Sequence, residues 1–243
     1  MGGIIAARAG GPVGVVARLW RYPVKSMAAE AITSAYVSWA GLAGDRKWAF
    51  VRPASSHNGF PWLTIRDNPA MSGCVPTLLD PERPDKSAVQ VRAPGGKTYG
   101  LADPGLAEEL GAGARLMRLD RGAFDAMPVS LISTGTVSAL CALAEVPGNE
   151  LRFRPNLVIA PTAGAPYAED EWVGRALQIG EAIVRIDRRD TRCVIVNVDP
   201  GAGRPDAALL QVIGRHRGAC AGVYGSTVRP GLVQAGDLVT IAA

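Results

Sequence analysis

Glycine and proline cut this chain into pieces too short for long helices. Of 243 residues, 29 are Gly and 18 are Pro, and the stretches between them are rich in the β-branched and aromatic residues that suit a pleated, half-buried surface. "VGVVARLWRYPV" predicts an early strand that ends where Pro23 has no N–H for a ladder. "ITSAYVSWAGL", "RKWAFVRP" and "WLTIRD" predict further strands, with a loop at "SSHNGFP". "AVQVRAP" and "KTYGLAD" predict the arms of a hairpin turning at Gly95–Gly96, and "AGVYGSTV" and "DLVTIAA" predict two late strands. Helical spacing appears in three places. "PGLAEELGAG" is closed by glycine, "SLISTGTVSALCALAEVPG" starts near Thr134 or Thr136 as N-cap and stops before Pro147, and "DAALLQVIGRHRG" is the third. The expected class is α+β, mostly β and rich in β-barrel, with a division near the central helix and a Gly/Ala-rich tail over residues 1–14.

The bulk numbers exclude several functions. No apolar run approaches the roughly 18 residues of a membrane span, and "IIAA" is too short for a signal-peptide core, so a cytoplasmic protein is expected. A net charge of +4 points to an anionic partner. Nucleic acid is not expected, because there is no basic helix and the arginines have acidic neighbours, as in "DRRDTR". A local site for a small phosphorylated or carboxylated ligand fits better. Cys74, Cys141, Cys193 and Cys220 form no C-x-x-C pair, and His57 and His216 lie far apart, which argues against structural zinc, a four-cysteine iron–sulfur cluster and a disulfide framework. Redox chemistry would therefore take its electrons from another protein. The Gly, Ala and Arg content fits a GC-rich bacterial genome.

Four stretches offer chemistry. "YPVKSM" places Lys25 and Ser26 after a proline-ended strand, an ammonium and a hydroxyl beside free backbone N–H groups; read alone, it better describes a solvated turn. "GDRKW" sets Arg46 beside Asp45 and Trp48, which by itself describes a surface ion pair. "RFRPNLVI" puts Arg154 and Asn156 on either side of Pro155, where the guanidinium fork could meet a phosphate or bond loop carbonyls. "RRDTRC" runs into "VIVNVDP", placing Cys193 at or near a strand's first residue. Guanidinium groups beside a thiol favour the thiolate, yet cysteine is also a common core residue. The residues leave both readings of Cys193 open.

In series, "LWRYPVKSM", "GLAGDRKWAFV", "RFRPNLVI", "YAEDEWVG", "LQIGEAIVRI", "RCVIVNVDP" and "VQAGDLVTI" resemble MOSC-domain proteins, over roughly residues 15 to 242. These bind the molybdenum cofactor and are typified by the mitochondrial amidoxime-reducing component and related bacterial reductases. The resemblance implies a β-barrel-rich MOSC fold, with an N-terminal β-barrel domain over 15–125 and the MOSC domain over 126–243. It implies that Cys193 ligates molybdenum. It further implies that Lys25, Ser26, Arg46, Thr64, Arg66, Arg154, Asn156, Thr191 and Arg192 hold the pterin cofactor, with Ser133 a looser match. Arg188 and Arg189 are expected to be solvated neighbours of Asp187 and Asp190, and Glu169 or Asp170 to cap or pair while Trp172 is buried.

The activity so implied is removal of oxygen from an N-hydroxylated small molecule. The electrons would come from a separate ferredoxin or flavin reductase, and the expected state is a monomer with no membrane contact. The resemblance leaves one alternative, a sulfur-transfer protein with a persulfide on Cys193 or a cofactor carrier, either adapted to a dedicated biosynthetic pathway. The segment "GRHRGACAGVYGSTVRPG" is shorter than in relatives, and there it helps form the substrate entrance.

Overall fold

The computed structural model describes residues 11–53, 60–200 and 207–242. The first half supplies β1 (Pro12–Arg21), β2 (Glu30–Ile32), β3 (Ser34–Ser38), β4 (Gly41–Leu42), β5 (Trp48–Val51), β6 (Val75–Leu78), β7 (Val89–Arg92), β8 (Thr98–Gly100), α1 (Pro104–Leu110) and β9 (Arg115–Arg118). The second half adds β10 (Val129–Ser133), α2 (Thr134–Leu143), β11 (Leu157–Pro161), β12 (Ala176–Ile179) and β13 (Ala182–Thr191). It ends with α3 (Ala208–Arg217), β14 (Cys220–Arg229), β15 (Gly231–Gln234) and β16 (Leu238–Ile241). The architecture is mostly β, with three short helices among the described residues, in line with the class expected from the sequence.

Seven strands close into a barrel in the order β1-β11-β10-β14-β13-β12-β16, and β16 returns to β1. Closure leaves no bare edge of N–H and C=O groups around the ring. The interior is packed by alternate residues such as Leu131, Leu157, Ile179, Val184 and Val223, each fully buried aliphatic contributing about 1.5–3 kcal/mol. β1 opens the chain and yet serves as a barrel stave. It begins at Pro12, within the stretch expected as a tail, because Pro12 and Gly14 pair with Thr240 and Val239 of the last strand. The rest of that expected tail, residues 1–10, lies outside the described residues. A register shift between Val16 and Arg18 lets Val16 and Leu19 both join the interior although they are three residues apart.

The N-terminal half forms its own core around Phe50, Met71, Leu78, Val91 and Leu106, under the β5–β9 ladder, the β6-β7-β8 sheet and α1. A third small sheet joins β3 and β4 to β15 from the end of the chain. Ile195 and Val198 pack into the N-terminal core, while Val196 enters a third cluster with Leu140, Phe153 and Leu209 from the α2 and α3 side. The segment after Cys193 is thus pinned where the barrel meets the N-terminal half.

Several local expectations hold. The hairpin turns at Gly95–Gly96, with Gly96 at φ +87°. The three helices lie within the stretches expected for them, α1 with Asp103 as its N-cap and α3 ending at Gly218 in the left-handed region. Three expectations need correction. The N-cap of α2 is Ser133, whose hydroxyl accepts from Thr136 N–H. "WLTIRD" is a turn joined to the sheet only through Trp62, because the Asp67 carboxylate takes both N–H and hydroxyl of Thr64. "VIVNVDP" does not continue as a strand, since Val194–Asn197 coil into a 3-10 turn. Burial of Val196 and Val198 in two different cores overrides their β propensity. The loop expected at "SSHNGFP" falls mostly outside the described residues. No helix among the described residues is long and apolar enough to cross a membrane.

Candidate cofactor-binding cleft

A cleft of about 380 Å³ opens on the seam between barrel and N-terminal half. Nine of the eleven residues singled out in the sequence line it: Lys25, Ser26, Arg46, Arg66, Arg154, Asn156, Thr191, Arg192 and Cys193. They come from the loop after β1, the turn before β5, the Thr64–Asp67 turn, the entry to β11 and the end of β13, and only the closed fold brings them together. Seven cationic side chains face two carboxylates, Asp125 and Asp190. Of the six non-glycine residues with left-handed backbone among the described residues, three stand here, Ser26 at φ 66°, Arg46 at 50° and Arg154 at 51°. Such conformations cost about 1–3 kcal/mol each and cluster where function demands them.

The cationic corner is built on Tyr22, which is buried. The guanidinium carbons of Arg46 and Arg154 stack on its ring, 4.5 and 4.3 Å from the centroid. Arg46 donates to Asp45 and to the carbonyl of Arg154, 3.1 Å away. Asp45 is wholly buried and accepts from Tyr22 N–H at 2.8 Å, so a single carboxylate fixes both the platform and the arginine. Burial alone would lower the Arg46 pKa, but the charge and hydrogen bond of Asp45, with Tyr22 adding to them, outweigh it and the net shift is upward. Among the described residues Arg154 has no carboxylate of its own, and burial pulls it down to about 10. Lys25, only 4% exposed, donates to the Ala123 carbonyl at 2.7 Å and pairs with Asp125. Burial still pushes it down to about 8.

Around the thiol the wall is rigid. Cys193 is half-buried and stands two residues beyond the last strand pair, Thr191 opposite Cys220. All three arms of the Arg192 fork are engaged: Nε on the Ala221 carbonyl at 2.7 Å, Nη1 on the Phe153 carbonyl at 2.6 Å, and Nη2 2.7 Å from Asp190. Arg192 is therefore a clamp that joins the thiol's segment to β14 and to the Arg154 turn. Gly222, at φ +75°, leaves room for it, since a Cβ there would lie 3.1 Å from Arg192 Nη2 and 2.6 Å from the Leu131 carbonyl. Asn156 is spent in the same way, its side chain accepting from Ser130 N–H and donating to the Trp20 carbonyl.

Two expected residues lie elsewhere. Thr64 stabilises its own turn through Asp67. Ser133 caps α2 and sits in a closed network in which Glu169 accepts from Ser133 N–H and Thr136 Oγ1. Ser133→Ala should cost about 1 kcal/mol in a urea titration, as loss of a helix cap does, and leave ligand binding at the cleft unchanged. Among the outlying residues, Asp170 pairs with Arg189 and Arg217, and Trp172 is buried in the barrel core. Arg189 is thus partnered, and Arg188, expected as a bystander, lines the cleft near the Tyr224 ring.

The sequence reading missed Tyr22, Asp45, Asp125, Arg152, Asp190 and Tyr224 as parts of the site. Tyr22 and Asp45 lie within the quoted motifs "YPVKSM" and "GDRKW" and could have been found from them. Asp190 is 1% exposed, and burial raises it to about 6 despite Arg192 and hydrogen bonds from Tyr224 and Ser130. Tyr224, raised by burial and by Asp190, has no local signal beyond being a tyrosine in a strand.

Comparison with known proteins places this architecture. A family model described as the MOSC domain matches residues 119–240, and one described as the MOSC N-terminal beta barrel domain matches residues 13–127. Molybdenum cofactor sulfurase of Oryza sativa subsp. japonica is 38% identical over 60 residues, which is 25% of this chain and 7% of that protein. The chain thus spans a small fraction of that curated relative's length. The YUAD protein from Bacillus subtilis shares the fold, with a TM-score of 0.52 over 94% of this chain and 95% of that chain at 14% identity. With the two family models together running from residue 13 to residue 240, the chain belongs to the MOSC-domain family and carries the family's N-terminal β-barrel domain.

Proposed function

We propose that the cleft holds a molybdenum cofactor, Mo-molybdopterin, and that the protein removes oxygen from N-hydroxylated small molecules. The electrons come from a separate ferredoxin or flavin reductase. The observation that carries this reading is the donor set: a cation-rich cleft around one half-buried thiol. No three His, Cys, Asp or Glu side chains converge as a metal site among the described residues. A metal here would need ligands brought by a cofactor, with Cys193 Sγ as the protein's soft donor. The phosphate of a pterin suits the corner of Lys25, Ser26, Arg46 and Arg154, whose cations act on one another and lack full compensation. The residues present therefore fit the group, and family membership and the likeness to a cofactor sulfurase support a molybdenum-related role.

When bound, the cofactor supplies two-electron oxygen-atom chemistry. The chain's residues do the rest. Lys25, Ser26, Arg46 and Arg154 bind its anionic end, and Arg66 and Arg188 add charge at the rim. Thr191 and the Arg192 clamp fix the segment that carries Cys193. Reduction of benzamidoxime by the purified protein with a chemical electron donor tests the activity. Turnover proportional to bound molybdenum is the expected result. Molybdenum without turnover would leave a cofactor carrier.

Binding should also depend on pH through Lys25. Its pKa of about 8 means that the cation is present below that pH and is lost above it. Affinity for sulfate, whose charge is constant over this range, should stay level from pH 7 to 8. It should then fall by up to about tenfold per unit, the limit for one linked proton. In Lys25→Met the affinity should be lower and should show no such break in a calorimetric titration.

A further inference from the structure

A second cavity of about 90 Å³ lies against the cleft, sharing Arg152, Arg154 and Ile195 with it. Its remaining walls include Tyr22, Ser72, Leu151 and Val198, and no carboxylate is among the described residues that line it. Three side-chain atoms of these walls are buried without a hydrogen-bond partner: Tyr22 Oη, Arg152 Nε and Arg154 Nη2. Tyr22 is 1% exposed and Arg152 is 3% exposed. Seven such atoms occur among the described residues, and two of the others, Arg189 Nε and Arg192 Nη2, stand 3.1 and 2.7 Å from carboxylates. The deficit is therefore concentrated at this cavity.

All three atoms are donors, or can be. An unpaired buried donor costs about 1–3 kcal/mol, more when charged. A water molecule has two lone pairs and would satisfy two of them while leaving the charge imbalance untouched. A compact anion accepts from all three and offsets the buried guanidinium charge as well. The Arg152 fork spends its other nitrogens on Asp199 at 2.7 Å and on the Asn197 carbonyl at 3.5 Å, so Nε is left over. Arg154 has no ion pair among the described residues and is depressed by burial. We propose that this cavity is a structural anion site, taking one small inorganic anion, a halide or a tetrahedral oxyanion, on Tyr22, Arg152 and Arg154. A bound anion would hold the Tyr22 ring in place between Arg46 and Arg154, and so set the cationic corner of the cleft from behind.

The test uses the full chain purified without cofactor, so it stands apart from the proposed activity. Crystals grown in sodium bromide should show an anomalous peak in the cavity. The melting temperature should rise progressively as gluconate is replaced by chloride, or by phosphate, at constant ionic strength. The two titrations distinguish a halide site from an oxyanion site. Tyr22→Phe keeps the ring stacked while deleting the hydroxyl, and should lose most of the anion-dependent rise. Arg152→Met should lose it as well. A cavity filled by water alone, or an equal rise in wild type and Tyr22→Phe, would overturn the proposal.

Discussion

Cys193→Ala is expected to purify without molybdenum and to lose reductase activity by more than about 100-fold. Loss of second-shell partners alone costs 10–100-fold in metal affinity, and a ligand should cost more. The fold should be indifferent to the change. Cys193 is half-buried, belongs to no hydrophobic cluster among the described residues, and precedes a 3-10 turn that its side chain does not cap. Stability should therefore move by no more than about 0.5 kcal/mol, as for substitutions away from cores and networks. The contrast between a large loss of metal and a negligible loss of stability separates a ligand from a core filler. Metal content by mass spectrometry and a urea titration on the same preparation measure both.

The largest expected effect on stability is at Asp45. Asp45→Ala should cost about 3–5 kcal/mol, the range for breaking a buried ion pair from one side. It strands Arg46 as a buried cation and leaves Tyr22 N–H unsatisfied. Asp45→Asn can still accept from that N–H and should cost less, about 1–3 kcal/mol. The Arg18–Glu150 pair gives the scale for comparison. With 49% of its arginine exposed, removing it should cost less than about 1 kcal/mol. Urea midpoints of the three variants test the ranking, and a cost at Asp45 no larger than at Arg18 would show that the corner is not built on that carboxylate.

Much of the fold was legible because its signals are local. Gly95–Gly96 fixes a turn and Gly218 a helix end by backbone geometry, with no tertiary contact needed. What escaped depends on distant partners. Nothing in "PVGVV" says that it pairs with the last strand, because that pairing closes a ring over more than two hundred residues. "VIVNVDP" has the composition of a strand and yields to two cores that pull alternate residues apart.

The site divides along the same line. The cations could be found from motifs, each an arginine or lysine at a turn. Their roles could not, because Arg192 and Asn156 are occupied by backbone groups reached only in the closed barrel. Lys25 and Arg154, by contrast, remain under-compensated, a property that only burial creates. Tyr22 and Asp45 stand inside the quoted motifs, where Tyr22 looks like a spacer and Asp45 like half of a surface ion pair, although in the structure they support both arginines of the corner.

The measurement that bears most directly on this account is the molybdenum and pterin content of the purified wild-type chain, taken together with the state of the Cys193 sulfur. Stoichiometric molybdenum, a pterin oxidation product and a thiol unreactive to cyanide are the predicted result. A chain free of both metal and pterin, with a cyanide-labile sulfur on Cys193, would contradict it and mark the cleft as a sulfur-transfer site.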